Sequence, residues 1–201
     1  MASKVDIANF ALNTIGASTI SSLTENTKAA IVINQRFDSV RDAVFRSHPW
    51  NSLITRATLS KDSSSPTFGY ENQFILPTDP FCLRVLEFSN GTLTYPMDNM
   101  TSIDGSPVFV IEGRKLLTIE GTVKIKYVGQ VTDTTQYDSN LTETLSARLA
   151  HEICYAITGS TSLMTQMYQL YQEKLKEARF VDATEGAPQR IEASDFIEAR
   201  F

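Results

Sequence analysis

The residues best able to do chemistry in this chain are two histidines, His48 and His151, and two cysteines, Cys82 and Cys154. A zinc site needs such ligands at short fixed spacings, as in HExxH or CxxC, and neither histidine has a partner at such a spacing. We therefore expect no metal and no cofactor. His48 is expected to end a helix, where it faces the helix dipole, and His151 to lie on a solvated helix face.

Other catalytic patterns are equally weak. The motifs GxxxxGK[ST], GxGxxG and GxSxG do not occur, so phosphate loops, dinucleotide folds and nucleophile elbows lack support. Glu143 with Glu152, or Asp79 with Asp133, could flank a glycosidic bond, but nothing in the sequence places either pair in one cleft. We expect no catalytic residues and no enzyme. Four aromatic residues have helical spacing and are expected to pack between helices: Tyr155, Tyr168, Tyr171 and Phe180.

The composition is that of an ordinary soluble protein, with 42% hydrophobic and 20% charged residues among 201. No apolar run approaches the roughly 20 residues that a transmembrane helix needs. Asp6 and Asn9 interrupt the N-terminal stretch, so we expect neither a signal peptide nor a membrane anchor. The formal net charge of -5 argues against a protein that grips nucleic acid tightly, although it permits loose passage of DNA.

The N-terminal fifty residues predict a helical hairpin. The first helix is expected from Ser3 or Lys4 to Ile15, with Ser3 as its N-cap. The second is expected from about Glu25 to Ser47 and ends before Pro49, because a residue before proline avoids the helical region. Its charged face is expected to pair Asp42 with Arg46 at the i,i+4 spacing.

Between Asn51 and Val131 the pattern changes from helical to alternating, most clearly in Thr122 to Val128, as a half-buried strand requires. Glycine turns at Glu112-Gly113-Arg114 and Glu120-Gly121 predict two adjacent hairpins and hence an antiparallel meander. About seven short strands favour a small sandwich or barrel.

The helical period returns at about Ser139, pauses at Gly159 and resumes at about Thr161. Because each helix is amphipathic, we expect the two hairpins to pack together. The predicted fold class is α+β: a four-helix bundle made of N- and C-terminal helical hairpins, with an inserted antiparallel β-sandwich or barrel. The expected boundaries are a discontinuous helical domain at 1–50 and 132–185, a β-domain at 51–131, and an extended C-terminal tail at 186–201.

Several segments, taken in order, resemble a known family. They are ALNTIG and SSLTE in the N-terminal hairpin, the exit at Pro49-Trp50, YENQFILPTDP at Tyr70 to Pro80, and YVGQVTDTTQYDSNLTETLSARLAHEICYAITGS after it. In this order and spacing the chain resembles tail tubular protein A, the head-to-tail adaptor of short-tailed bacteriophages, from about Ile7 to Glu185.

The resemblance implies a structural virion protein without catalytic residues. It implies a ring, a dodecamer, that connects the portal protein to the tail nozzle protein and leaves a channel for double-stranded DNA. Such a ring serves genome retention and ejection, and it contacts DNA without sequence recognition. The implied location is the connector of the virion tail, after synthesis in the cytoplasm of the host bacterium.

A closed ring requires that one surface of each subunit meets a different surface of the next. If the resemblance holds, Arg36, Arg41 and Arg46 on the outer face of the second helix are candidates for that contact. Four apolar tail residues are candidates for binding the portal or a neighbouring subunit: Ile191, Phe196, Ile197 and Phe201.

One alternative remains open from the residues. The chain could be a non-enzymatic, tail-associated binding module whose β-domain contacts a carbohydrate or another tail protein.

Overall fold

The computed structural model of the protein describes residues 2–92, 94–96 and 108–185, which hold four α-helices and seven β-strands. The helices are α1 (Lys4–Thr14), α2 (Lys28–Ser47), α3 (Ser139–Thr158) and α4 (Thr161–Thr184). The strands are β1 (Ile54–Thr58), β2 (Asn72–Ile75), β3 (Cys82–Ser89), β4 (Thr94–Pro96), β5 (Phe109–Glu112), β6 (Lys115–Thr118) and β7 (Lys124–Gly129).

Local side-chain chemistry sets the helix ends. The Ser3 hydroxyl accepts the Asp6 N–H at 3.2 Å and the Asp6 carboxylate accepts the Ser3 N–H at 2.9 Å, which confirms the predicted N-cap. Helix α2 begins later than predicted, because Thr27 is its N-cap. Gly159, with φ 71, ends α3 in the left-handed conformation that glycine adopts without strain.

Helix α3 is the centre of the helical part, because α1, α2 and α4 each pack on it. Its buried residues include a stripe of leucines spaced four residues apart and also small residues outside that stripe. They are Leu141, Thr142, Thr144, Leu145, Ser146, Ala147, Leu149, Ala150, Ile153 and Cys154. The small side chains let neighbouring helices approach α3 from more than one side.

The predicted bundle of two helical hairpins is therefore wrong. Helices α1 and α2 make few contacts with each other, and each covers its apolar stripe mainly with α3. The C-terminal pair, α3 and α4, does pack together. An apolar stripe shows which face of a helix is buried but not which helix covers it, and that is why the expected pairing failed. The mixture of helices and antiparallel strands is compatible with an α+β protein.

The strands form two antiparallel sheets, ordered β1-β7-β3-β4 and β2-β6-β5. Gly113, with φ 58, forms the predicted turn between β5 and β6. The hairpin predicted at Glu120-Gly121 is wrong, because β6 pairs with β2 and β5 whereas β7 pairs with β1 and β3. Two open sheets of four and three strands thus replace the expected meander, and the described strands do not close into a barrel.

Both sheets contribute to one apolar core. Phe74 and Leu116 come from the smaller sheet, and Val85 and Phe88 from the larger. The rings of Phe88 and Phe109 stack with centroids 5.0 Å apart, which joins β3 to β5 across the two sheets.

The helical core continues into the larger sheet at the end of α2. It includes Leu53, Leu83 and Val128 from the β region. The chain leaves α2 through Trp50, which is fully buried and donates its Nε1–H to the Val44 carbonyl oxygen at 3.1 Å. The β region is thus attached by apolar packing as well as by the chain, while the division into two domains stays a prediction.

The central position of α3 predicts a difference between two leucine-to-alanine variants. Leu145 is fully buried, so Leu145→Ala should lower the free energy of unfolding by about 2–5 kcal/mol through lost burial and a residual cavity. Leu163 on α4 is only half-buried, so Leu163→Ala should cost less. Urea denaturation of both variants measures this, and an equal or larger loss in Leu163→Ala would contradict the central role of α3.

Candidate functional site

The reactive side chains of the described residues are held in structural contacts. No group of three or more histidine, cysteine, aspartate or glutamate residues within 2–92, 94–96 and 108–185 could hold a metal ion. Cys82 and Cys154 are buried, and burial raises the pKa of Cys82 to about 11, which keeps its thiol protonated. None of the helices in these ranges combines the length and apolarity needed to cross a bilayer.

Each of the two histidines makes its own contact between elements of the fold. The His151 ring lies between α3 and α4, with Nδ1 3.2 Å from the Met164 carbonyl oxygen and the ring 5.3 Å from Tyr168. The expectation of a solvated His151 is therefore wrong. His48 caps the C-terminus of α2, close to its predicted place.

A polar cluster connects the end of α4 to the end of α2. His48 Nε2 lies 2.9 Å from the Asp182 carboxylate, and the Asn51 backbone N–H donates to the other Asp182 oxygen at 2.9 Å. Arg179 donates to the Ser47 carbonyl oxygen at 2.7 Å. Burial lowers the pKa of His48 and outweighs Asp182, which acts to raise it. This cluster could not be predicted from the sequence, because Asp182 lies more than a hundred residues from His48.

Another polar cluster, around Asp62, stabilises the loop between β1 and β2. The Asp62 carboxylate lies 2.7 Å from Lys115 Nζ and accepts the Ser64 N–H at 3.1 Å. The hydrogen bond from Lys115 holds the pKa of Asp62 at about 2. These bonds fix a turn, and they keep the Asp62 carboxyl group ionised at neutral pH.

The three arginines predicted for a subunit contact do not share one environment. Arg36 and Arg46 are exposed on α2. Arg41 is buried, and its guanidinium pairs with Asp38 and Asp42 at 2.8 Å each. The expectation that Arg41 belongs to the exposed face is therefore wrong, while contact roles for Arg36 and Arg46 stay predictions.

The Arg41 pairs connect α2 to the end of the larger sheet. The second Asp42 oxygen accepts the Gln130 side-chain amide at 2.6 Å, just beyond β7. Asp42 thus binds Arg41 and Gln130, where the sequence had predicted Arg46 as its partner. The network holds elements of the chain's own fold together.

Three of the four aromatic residues expected between helices are instead exposed. Tyr155 is 56% exposed, Tyr168 45% and Phe180 71%, whereas Tyr171 is buried as predicted. The helical spacing of these residues therefore did not show which of them are buried.

The most distinctive open surface is one face of the larger sheet. Register pairs Lys126 with Arg56 on β1 and with Glu87 on β3, and it pairs Lys124 with Thr58 and Ser89 in the next row. Directly opposed residues point to the same side of a sheet. Nearer the helices, this face is covered by the helical core through Val128. The part beyond Val128, here called the basic sheet face, stays open.

The basic sheet face forms a shallow cavity of about 270 Å³. Lys126 Nζ lies 2.6 Å from the Glu87 carboxylate, and both groups are largely buried. Arg56 and Lys124 are exposed, and neither makes an ion pair within the described part of the chain. The hydroxyl groups of Thr58, Ser89 and Thr94 complete the lining.

The tail candidates, Ile191, Phe196, Ile197 and Phe201, lie outside the described residues. Their predicted contact with the portal or a neighbouring subunit stays a prediction. The chain matches no protein-family model and no curated protein.

Arg41 and Arg36 form a matched pair for testing the α2 network. Arg41→Ala should lower the free energy of unfolding by about 1–3 kcal/mol, because a buried cation and two charge-assisted bonds are lost. Arg36→Ala should change it by no more than about 0.5 kcal/mol, since Arg36 is exposed. Chemical denaturation compares the variants, and an equally small effect of Arg41→Ala would refute the assignment of Arg41 to the framework.

The lowered pKa of His48 predicts an acid-sensitive junction. The unfolded chain binds a proton near the ordinary value of 6.5, whereas the folded protein binds it only at lower pH. Stability contributed by neutral His48 is therefore present above 6.5 and is lost as pH falls towards the lowered pKa. Unfolding measured from about pH 8 to about pH 5 should show a smaller loss in His48→Gln than in the wild type.

Glutamine keeps a donor for Asp182 but does not titrate. Equal pH dependence of the wild type and His48→Gln would mean that other groups, not His48, cause the acid sensitivity.

Proposed function

We propose that the protein is a structural subunit that assembles with copies of itself into a closed ring. More specifically, we propose the head-to-tail adaptor of a short-tailed bacteriophage, joining the portal protein to the tail nozzle protein around a channel for double-stranded DNA. The ring is a dodecamer, part of the virion tail, that retains the genome and later lets it pass.

The order of the segments that resemble the adaptor family carries the proposal. The Pro49-Trp50 exit is the buried corner where α2 gives way to the larger sheet. YENQFILPTDP covers β2 and the turn that leads to β3, and the last segment runs from the end of β7 through α3. Two of these segments therefore build the junction between helices and sheet.

The chemistry of the described residues is consistent with a structural role. The titratable groups that lie together, such as His48 with Asp182 and Arg41 with Asp42, connect elements of the fold. Catalysis needs a nucleophile, a base and a space for the reacting atom in mutual reach. The described lining of the cavity on the basic sheet face contains hydroxyl groups, cations and one carboxylate but neither histidine nor cysteine.

Exposed groups on the helices supply surfaces for ring contacts. Arg36 and Arg46 remain free to meet acidic groups of a neighbour, and Tyr155 and Phe180 offer apolar area. A heterologous interface of this kind closes into a ring when its rotation divides the circle evenly. The net charge of -5 leaves many acidic groups for Arg36 and Arg46 to contact on an identical neighbour.

The alternative binding module, with a sugar site on the β region, has less support. Sugar-binding sites generally present an aromatic ring to the ligand, and Phe88, the aromatic residue among the described residues that line the cavity, is fully buried.

Charge reversal on α2 tests the ring. Arg36→Asp with Arg46→Asp should leave the subunit folded, since both residues are exposed, but should impair assembly with the portal by placing repulsive charge in the contact. Sedimentation velocity of each protein mixed with purified portal measures assembly. Arg36→Lys with Arg46→Lys is the control that keeps both charges and should assemble.

Arg41 is left unchanged in both variants, because its substitution would disturb the subunit itself. Wild-type assembly of the charge-reversed variant would remove Arg36 and Arg46 from the interface, and failure of the wild type to form any large species with the portal would overturn the adaptor proposal.

A further inference from the structure

We propose that the basic sheet face binds phosphate groups without reading a base or a sugar. This inference goes beyond the ring and does not depend on it. It concerns the cavity lined by Arg56, Lys124 and Lys126 together with three hydroxyl groups.

The first argument is the charge left uncompensated on this face. Lys126 lies between Arg56 on β1 and Glu87 on β3, and its ammonium group pairs with Glu87 at 2.6 Å. Like charges directly opposite each other in a sheet repel, so the row that joins Arg56 to Lys126 is unfavourable in isolation. Among the described residues that line the cavity, one carboxylate, Glu87, lies beside three cations, and a bound anion would relieve the repulsion.

The second argument is the geometry of the free cations. Arg56 and Lys124 occupy diagonal positions of neighbouring strands, at a separation of roughly 7–8 Å between Cα atoms. Both side chains are long and exposed, so their charged ends can converge on one anion above the sheet. Arginine forms paired hydrogen bonds to phosphate oxygens, and lysine adds a point charge.

The hydroxyl groups favour phosphate over a simple carboxylate. Thr58 and Ser89 flank Lys124 in register, and Thr94 lies opposite Ser89 on β4. The Ser89 oxygen accepts the Gly91 N–H at 3.1 Å, which leaves its O–H free to donate. A phosphate group offers more acceptor oxygens than a carboxylate, so it can use the cations and these donors together.

The same face lacks what base recognition requires. Phe88 and Ile125 line the cavity but are buried below it, so the described residues of the lining present no aromatic ring for stacking. A flat, open strip of cations and hydroxyls contacts phosphates and carries no sequence information. The phosphate group belongs either to a nucleic-acid backbone or to free phosphate. A DNA duplex distinguishes the two sources, because only the first predicts that this face binds the duplex.

The test compares the full-length wild type with Arg56→Gln/Lys124→Gln. Lys28→Gln/Lys176→Gln is the matched control, because it removes the same charge from two exposed helix positions. One probe is a short fluorescent DNA duplex of arbitrary sequence, followed by anisotropy between about 50 and 200 mM salt. The other is inorganic phosphate, followed by isothermal titration calorimetry.

Wild type and control should bind, and the sheet-face variant should bind at least one probe roughly tenfold or more weakly, as expected for two lost charge-assisted contacts. Loss of duplex binding identifies a nucleic-acid backbone as the source. The slope of the logarithm of the binding constant against the logarithm of salt concentration should then be smaller in magnitude by about 1.8. Loss confined to inorganic phosphate identifies free phosphate.

Wild-type affinity of the sheet-face variant for both probes would overturn the proposal. An equal loss of affinity in the control would also overturn the proposal, because the loss would then come from the change in net charge and not from the sheet face. Binding of neither probe by the wild type would also overturn it. Circular dichroism should show the same fold for all three proteins, since the substituted side chains are exposed.

Discussion

The burial of Trp50 at the end of α2 is the constraint on which the remaining structure depends. Its indole is fully enclosed and hydrogen-bonded to Val44, so the chain can leave the helix in only one direction, into β1. The Asp182 carboxylate is hydrogen-bonded to His48 and accepts the Asn51 N–H, and these bonds bring the end of α4 to the same corner. Because both the sheet and the last helix are anchored there, loosening this corner would separate the parts on which any assembly surface depends.

Much of the local structure follows from the sequence. Ser3, Gly113 and Gly159 act where their capping and turn chemistry predicts, because such signals involve residues close together in the chain. The partner of each element does not follow. Helix α3 is shared by three helices through small residues such as Ala147 and Ala150, and a leucine stripe alone could not reveal that.

On the surfaces, too, local features follow from the sequence whereas contacts between distant segments do not. The outward alternation of Lys124 and Lys126 is visible in the sequence, but their alignment with Arg56 and Glu87 depends on strand pairing across distant segments. Arg41 has the sequence context of a solvated residue, yet Asp38 and Asp42 compensate its charge and allow its burial. Burial of a charged side chain depends on its neighbours in space. One such neighbour is Gln130, which follows β7 and donates its side-chain amide to Asp42.

Electron microscopy of the full-length protein bound to its portal tests the adaptor account most directly. The account predicts a closed ring of subunits stacked coaxially on the portal, with a continuous channel wide enough for a DNA duplex. Single subunits scattered on the portal, or no association at all, would contradict it.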